Sequence, residues 1–257
     1  MSFTDELANI RPDKHAFFFD IDGTLAEICQ RPEQVKISSD RLRLLTRLSF
    51  LSGALAIISG RSMVDIDRLL SPLKCPAAAV HGAQKRYACG TLWQSEAYLP
   101  ENLLQQLRLL AADLPGVRLE KKAKIAMTIH FRACPESGHD VLLRVKRLIA
   151  DYPQFALQPG KQVVEIKPRD VDKGAALHEF MAQPPFLGRI PVFVGDDLPD
   201  EGGFAAAQAL GGIGIKVGQG ETCATHRLAS TESVENWLRR VTAEPNSALS
   251  KKGDCLR

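Results

Sequence analysis

The sequence predicts an α/β protein: a Rossmann-like core built on a parallel sheet, interrupted by an inserted α+β cap. Three observations point there. Apolar runs stop abruptly in acids or hydroxyls at Phe17–Asp20, Ala54–Ser59 and Val192–Asp196. Helix-period segments separate those runs. Between residues 99 and 167 the pattern changes to paired short strands around single helices.

The elements follow in order. His15–Asp20 reads as a strand, because an unbroken apolar run suits a strand covered on both faces. Ser38–Phe50 reads as a helix: Ser38, Ser39 and Asp40 offer capping side chains, and Leu42, Leu45 and Leu48 keep helical spacing. Residues 54–59 form a second buried strand, 63–70 a short helix, and 77–80 a third strand running into His81-Gly82. In the middle, 102–110 and 140–151 read as helices, and 117–120, 126–131, 155–158 and 163–166 as strands. The alternation then resumes with helix 174–182, strand 190–194, helix 200–209, strand 212–217 and helix 232–241. Such alternation implies right-handed crossovers and a parallel sheet. The expected division is 12–98 plus 168–243 for the core, 99–167 for the cap, and a polar tail at 244–257. Leu99-Pro100 and Lys167-Pro168 mark the hinges, since a residue before proline is pushed out of helix.

Composition excludes several function classes. The 257 residues carry 33 basic and 30 acidic side chains, a net charge of +3, which argues against nucleic-acid and membrane partners. No apolar run approaches the roughly 18 residues that span a bilayer. The segment MSFTDELANIRPDK lacks the apolar core of a secretory signal. Six cysteines, at 29, 75, 89, 134, 223 and 255, form no C-x-x-C pair. Free thiols in a reducing cytoplasm and a monomeric chain are the expectation.

Four islands carry chemistry. The first is Asp20-Ile21-Asp22-Gly23-Thr24, the second Ser59-Gly60-Arg61, the third Asp172-Lys173-Gly174, and the fourth Gly195-Asp196-Asp197 with Asp200 and Glu201. Each has a bland reading alone. Asp-Gly makes ordinary turns, Ser59 could cap a helix, Lys173 could be a solvated surface lysine, and the acids after Asp196 could face a helix dipole behind Pro199. In a parallel sheet all four fall on one edge, where open α/β sheets place their ligands. One lysine, one hydroxyl, exposed N–H groups and several carboxylates there suggest phosphate chemistry with a hard cation. Mg²⁺ takes oxygen ligands, usually one or two carboxylates with water and substrate phosphate, and Asp20 and Asp196 are the natural pair. A carboxylate can attack phosphorus, and a second carboxyl can shuttle the proton.

In this order the motifs resemble the haloacid-dehalogenase phosphatase superfamily, over nearly the whole chain. That resemblance implies Asp20 as nucleophile and Asp22 as general acid/base. It also implies Ser59 and Lys173 as phosphoryl ligands, and a metal held by Asp20, Asp196 and the Asp22 backbone carbonyl. Thr24, Asp197 and Asp200 would support the site.

Further strings are similar to trehalose-6-phosphate phosphatases: Ser59-Gly60-Arg61, Val80-His81-Gly82-Ala83, Gly160-Lys161 followed by Val163-Val164-Glu165-Ile166-Lys167-Pro168, and Gly195-Asp196-Asp197. The narrower resemblance implies a Mg²⁺-dependent phosphatase that hydrolyses trehalose 6-phosphate to trehalose and phosphate through an aspartyl-phosphate, with Gly60, Arg61, Glu120, Lys122 and Glu165 as substrate ligands. Carboxylates accept hydroxyls and lysine donates to them, so the chemistry agrees. Pro199 and Asp172 depart from the usual residues. Lys121 and Lys124 compete with Lys122 for its position. His130 and Arg132 face either the sugar or the cap's own structure, and His81 is equally open. A phosphatase for sucrose phosphate or mannosyl-phosphoglycerate, or a non-catalytic sugar-phosphate sensor, are the rival readings.

Overall fold

The computed structural model describes residues 7–29, 31–160 and 162–243. The expected tail at 244–257 and Lys161 lie outside them. In the first half of the chain β1 (His15–Phe19), α1 (Ser39–Ser52), β2 (Leu55–Ile58), α2 (Met63–Leu70) and β3 (Ala77–Ala79) alternate as the sequence predicts. Then comes a hairpin the sequence reading lacks, β4 (Gln84–Arg86) and β5 (Leu92–Gln94). The middle contains α3 (Glu101–Asp113), β6 (Arg118–Lys122), β7 (Ala126–His130), α4 (Gly138–Leu148), β8 (Phe155–Gly160) and β9 (Val163–Pro168). The last part contains α5 (Lys173–Met181), β10 (Ile190–Gly195), α6 (Glu201–Ala209), β11 (Ile213–Val217), β12 (His226–Leu228) and α7 (Thr231–Val241).

Two sheets result. The larger has the order β12-β11-β10-β1-β2-β3-β4-β5, parallel except at β3–β4 and β4–β5. The expected parallel sheet of the core is present, with an antiparallel hairpin added at one edge. The hairpin strands have three residues each, too few to show an alternating pattern, and β5 is exposed throughout. The smaller sheet, β6-β7-β9-β8, is antiparallel throughout.

The apolar run at β1 is explained by its two covered faces. Phe17 and Phe19 pack with Leu45, Leu48 and Trp237 on one side. Ala16 and Phe18 pack with Leu177, Phe180 and Phe204 on the other. Each buried aromatic contributes roughly 2–3 kcal/mol of transfer free energy. Ser38 caps α1, its side chain accepting from the Arg41 N–H at 3.2 Å. Gly53, left-handed at φ 66°, ends that helix.

In the smaller sheet the alternation has two destinations. Met127, Ile129, Val164 and Ile166 pack on Leu103, Leu107, Val141 and Val145 of the helices. Thr128, His130 and Glu165 turn the other way and line a cleft against the larger sheet's β1 tip. A polar cap face and an apolar cap core thus come from one period-2 pattern.

Candidate active site

The cleft, about 870 Å³, is lined from both sheets, with Asp20, Ser59 and Lys173 on one wall and Glu120, Lys122 and Glu165 on the other. All four sequence islands meet there. Asp20 leaves β1 buried, its N–H donating to the Val194 carbonyl of β10 at 2.9 Å. Lys173 starts α5, capped by the Asp172 side chain, which accepts from the Ala175 N–H at 2.8 Å. Asp172 thereby does the work a small polar residue would do at that position. The buried Lys173 ammonium reaches Asp20 Oδ1 at 2.9 Å and Asp200 Oδ1 at 2.7 Å. Burial alone would lower the Lys173 pKa, but the two carboxylates reverse that and raise it. Burial pushes the Asp20 carboxyl up to about 6 against the pull of Lys173, with Asp200 and Asp22 adding repulsion.

Asp200 has no spare oxygen. Its Oδ2 accepts from the N–H groups of both Asp196 and Asp197 at 3.0 Å, closing the turn behind β10. Asp20, Asp196 and Asp200 each bring a carboxylate oxygen within 4.8 Å of the others. With Asp200 committed to Lys173 and the turn, Asp20 and Asp196 remain as hard oxygen donors, a set suited to a small dication. Gly23 makes this possible. Its φ is +78°, and a Cβ there would stand 2.1 Å from Asp196 Oδ2. Only glycine lets the Asp196 carboxylate lie against the backbone that follows Asp22. Thr24 is fully buried beneath, and its hydroxyl finds no partner among the described residues.

Ser59 is not a helix cap. That position belongs to Ser62, whose hydroxyl accepts from the Asp65 N–H at 3.2 Å. Ser59 stays buried at the end of the β2 run, lining the cleft. Arg61 forms a two-pronged pair with Asp22, Nε to Oδ2 and Nη2 to Oδ1, both at 2.7 Å. Its Nη1 and Nη2 also donate to the Pro32 carbonyl at 3.2 Å. The expected substrate ligand Arg61 is thus bonded to the expected acid/base, a link that residues 39 positions apart gave no reason to foresee.

On the cap side, Lys122 is the lysine that faces inward, while Lys121 and Lys124 are exposed. Its ammonium donates to Glu165 Oε2 and to the Gly60 carbonyl, both at 2.7 Å. That second bond ties the cap to the loop after β2. Thr128 also donates to Glu165 Oε2 at 3.2 Å. Glu165 is held well below the usual carboxylate range: burial would raise it, but attraction to Lys122 and His81 wins. His81, left-handed at φ 56°, packs against Gly60 and stands 3.5 Å from Glu165 Oε2. Burial foremost lowers its pKa. Arg132, just past the end of β7, donates to the Cys29 carbonyl across the cleft mouth. His130 bonds Glu120 at 2.8 Å.

A protein-family model described as trehalose-phosphatase matches residues 18–236. The chain is 45% identical over 244 residues to the trehalose-6-phosphate phosphatase of Escherichia coli strain K12, covering 93% of this chain and 89% of that one. The chain belongs to the trehalose-phosphatase family. Another relative, a probable trehalose-phosphate phosphatase of Sinorhizobium fredii, is 37% identical over 234 residues, covering 90% and 87%. Among solved structures, a trehalose-6-phosphate phosphatase related protein superposes with TM-score 0.75 at 25% identity, covering 88% and 96%. The C-terminal domain of the Candida albicans trehalose-6-phosphate phosphatase shares the fold, with TM-score 0.81 at 22% identity over 93% and 96%.

Proposed function

We propose that this trehalose-phosphatase family member hydrolyses trehalose 6-phosphate to trehalose and phosphate through an aspartyl-phosphate. The observation that carries the reading is the buried Lys173–Asp20 contact at 2.9 Å, facing the Lys122–Glu165 pair across one cleft. Residues 12–98 and 168–243 serve as catalytic core, and 99–167 as the sugar-reading cap.

Asp20 attacks phosphorus, forming the acyl-phosphate bond as the bond to the sugar oxygen breaks. Asp22, on leaving its two-pronged pair with Arg61 and taking a proton from solvent, gives that proton to the sugar oxygen, then takes one from the water that attacks the aspartyl-phosphate and restores Asp20. Arg61 aims the Asp22 carboxylate while Ser59 and Lys173 hold phosphoryl oxygens. Mg²⁺, held by Asp20, Asp196 and the Asp22 carbonyl, would neutralise phosphoryl charge. Asp200 and Asp197 orient Lys173 and the turn beneath, and Thr24 backs the loop. Glu120, Lys122 and Glu165 grip sugar hydroxyls, with the Gly60 carbonyl near the phosphate end. The Lys122–Gly60 bond joins the cap to the core across the cleft. Free Cys29, Cys75, Cys89, Cys134 and Cys223 suit the reducing cytoplasm. No helix among the described residues is long and apolar enough to cross a membrane.

Two measurements test this. Across a panel of sugar phosphates, trehalose 6-phosphate should give a kcat/KM at least about 100-fold above sucrose 6-phosphate and glucose 6-phosphate, as buried polar contacts on a cap reject sugars that leave them unpaired. Equal rates across the panel would remove the specific claim. In the second, Mg²⁺ added to chelator-treated protein should restore activity and raise the Tm by a few degrees, as a ligand binding only the folded state does. Asp196→Asn should erase that Tm shift; a shift that persists in the variant would place the cation elsewhere.

A further inference from the structure

We infer that His130 is the positioning residue for Glu120, acting on the sugar through that carboxylate rather than touching it. The inference deepens the proposed function and rests on Glu120 as a sugar ligand.

The two residues sit diagonally across the β6–β7 ladder. Arg118 pairs with His130 and Glu120 with Thr128 in register, so Glu120 and His130 are one step apart on the same face. The imidazole Nε2 lies 2.8 Å from Glu120 Oε2. An ionised carboxylate only accepts, so Nε2 carries the hydrogen. The Glu120 carboxyl is held below its ordinary range, first by this bond and then by Lys122 against the effect of burial. One oxygen is thus occupied, and the carboxylate stays ionised with the other oxygen left for a hydroxyl.

A scaffold role is disfavoured by where the ring sits. β7 sends Met127 and Ile129 into the apolar cap core, whereas His130 lines the cleft with Glu120. The His130 and Glu120 side chains remain 23% and 36% exposed, so the pair contributes little to stability. What it changes is the freedom of a long side chain at the cleft wall. A glutamate already fixed loses less on binding than one that must be ordered by the sugar.

The test is a double-mutant cycle on the best sugar phosphate of the panel, with p-nitrophenyl phosphate reporting on the core alone. His130→Ala should raise KM for the sugar phosphate by roughly fivefold to tenfold with kcat within about twofold. His130→Gln, whose amide can still donate, should recover most of the loss. In a Glu120→Ala background, His130→Ala should change KM by less than about twofold. An unchanged KM in the single variant overturns the inference, as does an undiminished effect in the Glu120→Ala background. So does a parallel loss on p-nitrophenyl phosphate, which would mark a structural role. If trehalose 6-phosphate is not the best substrate, the parent reading fails, and the cycle still decides the pairing on the sugar phosphate that is.

Discussion

Asp20→Asn should reduce hydrolysis of trehalose 6-phosphate by at least about 10⁴-fold, the order lost when a covalent nucleophile is removed. The same variant should be as stable as the wild type or more so. Burial raises the Asp20 carboxyl from 3.8 to about 6 in the absence of metal. The folded chain therefore holds that proton more tightly than the unfolded chain does. This group's contribution to stability is fully present below pH 3.8 and is lost as the pH rises through about 6. At pH 7.5 a neutral amide avoids that loss, on the order of 1–3 kcal/mol. The Lys173 ammonium still keeps Asp200 at 2.7 Å. Activity assays beside thermal melts in chelator separate the two effects. Activity retained in Asp20→Asn would refute the nucleophile; activity and fold lost together would make Asp20 a structural residue.

Asp20 was legible because its strand is apolar on both sides and its turn needs glycine, and both constraints are local. The same holds for Ser59 and Asp196, each at the end of a buried run. Lys122 was legible only through resemblance, since a string of Glu120-Lys121-Lys122-Ala123-Lys124 hides which lysine turns inward. The strand answers by period: Glu120 and Lys122 share a face, and Ala123, at φ 51°, turns the chain before Lys124. Contacts between distant residues left no local signal. Arg61 with Asp22, His81 with Glu165, and the Lys85–Glu179–Tyr87 group beside Trp93 all depend on how two elements cross. The hairpin β4–β5 was missed because three-residue strands are too short to carry periodicity.

The cap contacts show why a charged face can be buried at all. Glu165 would be costly in a dry cleft by itself. Lys122 and Thr128 bond its Oε2, and its Oε1 has no partner among the described residues. Under the proposed function, that acceptor is the one a sugar hydroxyl would meet. Catalytic specificity and the orphaned oxygen then have one cause: the cap is polar where the substrate, not the protein, completes the hydrogen bonds.

Lys173→Met should be damaging in a second way, with loss of fold stability as well as activity. The methionine preserves the aliphatic stem but leaves Asp20 and Asp200 buried beside Asp196 without their shared cation. Removing one member of a buried charge cluster costs about 3–5 kcal/mol when the remaining charges cannot be compensated. Protonation offers partial compensation, and that sets the pH dependence. Lys173 is the group that pulls the Asp20 and Asp200 pKa values down against burial. Without it both carboxyls rise further. The deficit relative to wild type should therefore shrink as the pH falls, because the variant's carboxyls take up protons more readily, and grow towards pH 8. Mg²⁺ should narrow it by supplying a cation at Asp20. Turnover should fall by about 10³-fold or more even with the metal present, since the phosphoryl group loses a fixed positive charge. Melts across pH 4–8 with and without Mg²⁺, paired with kcat, decide the matter. A pH-independent deficit would show that Lys173 acts through packing, and near-normal kcat would remove it from the phosphoryl site.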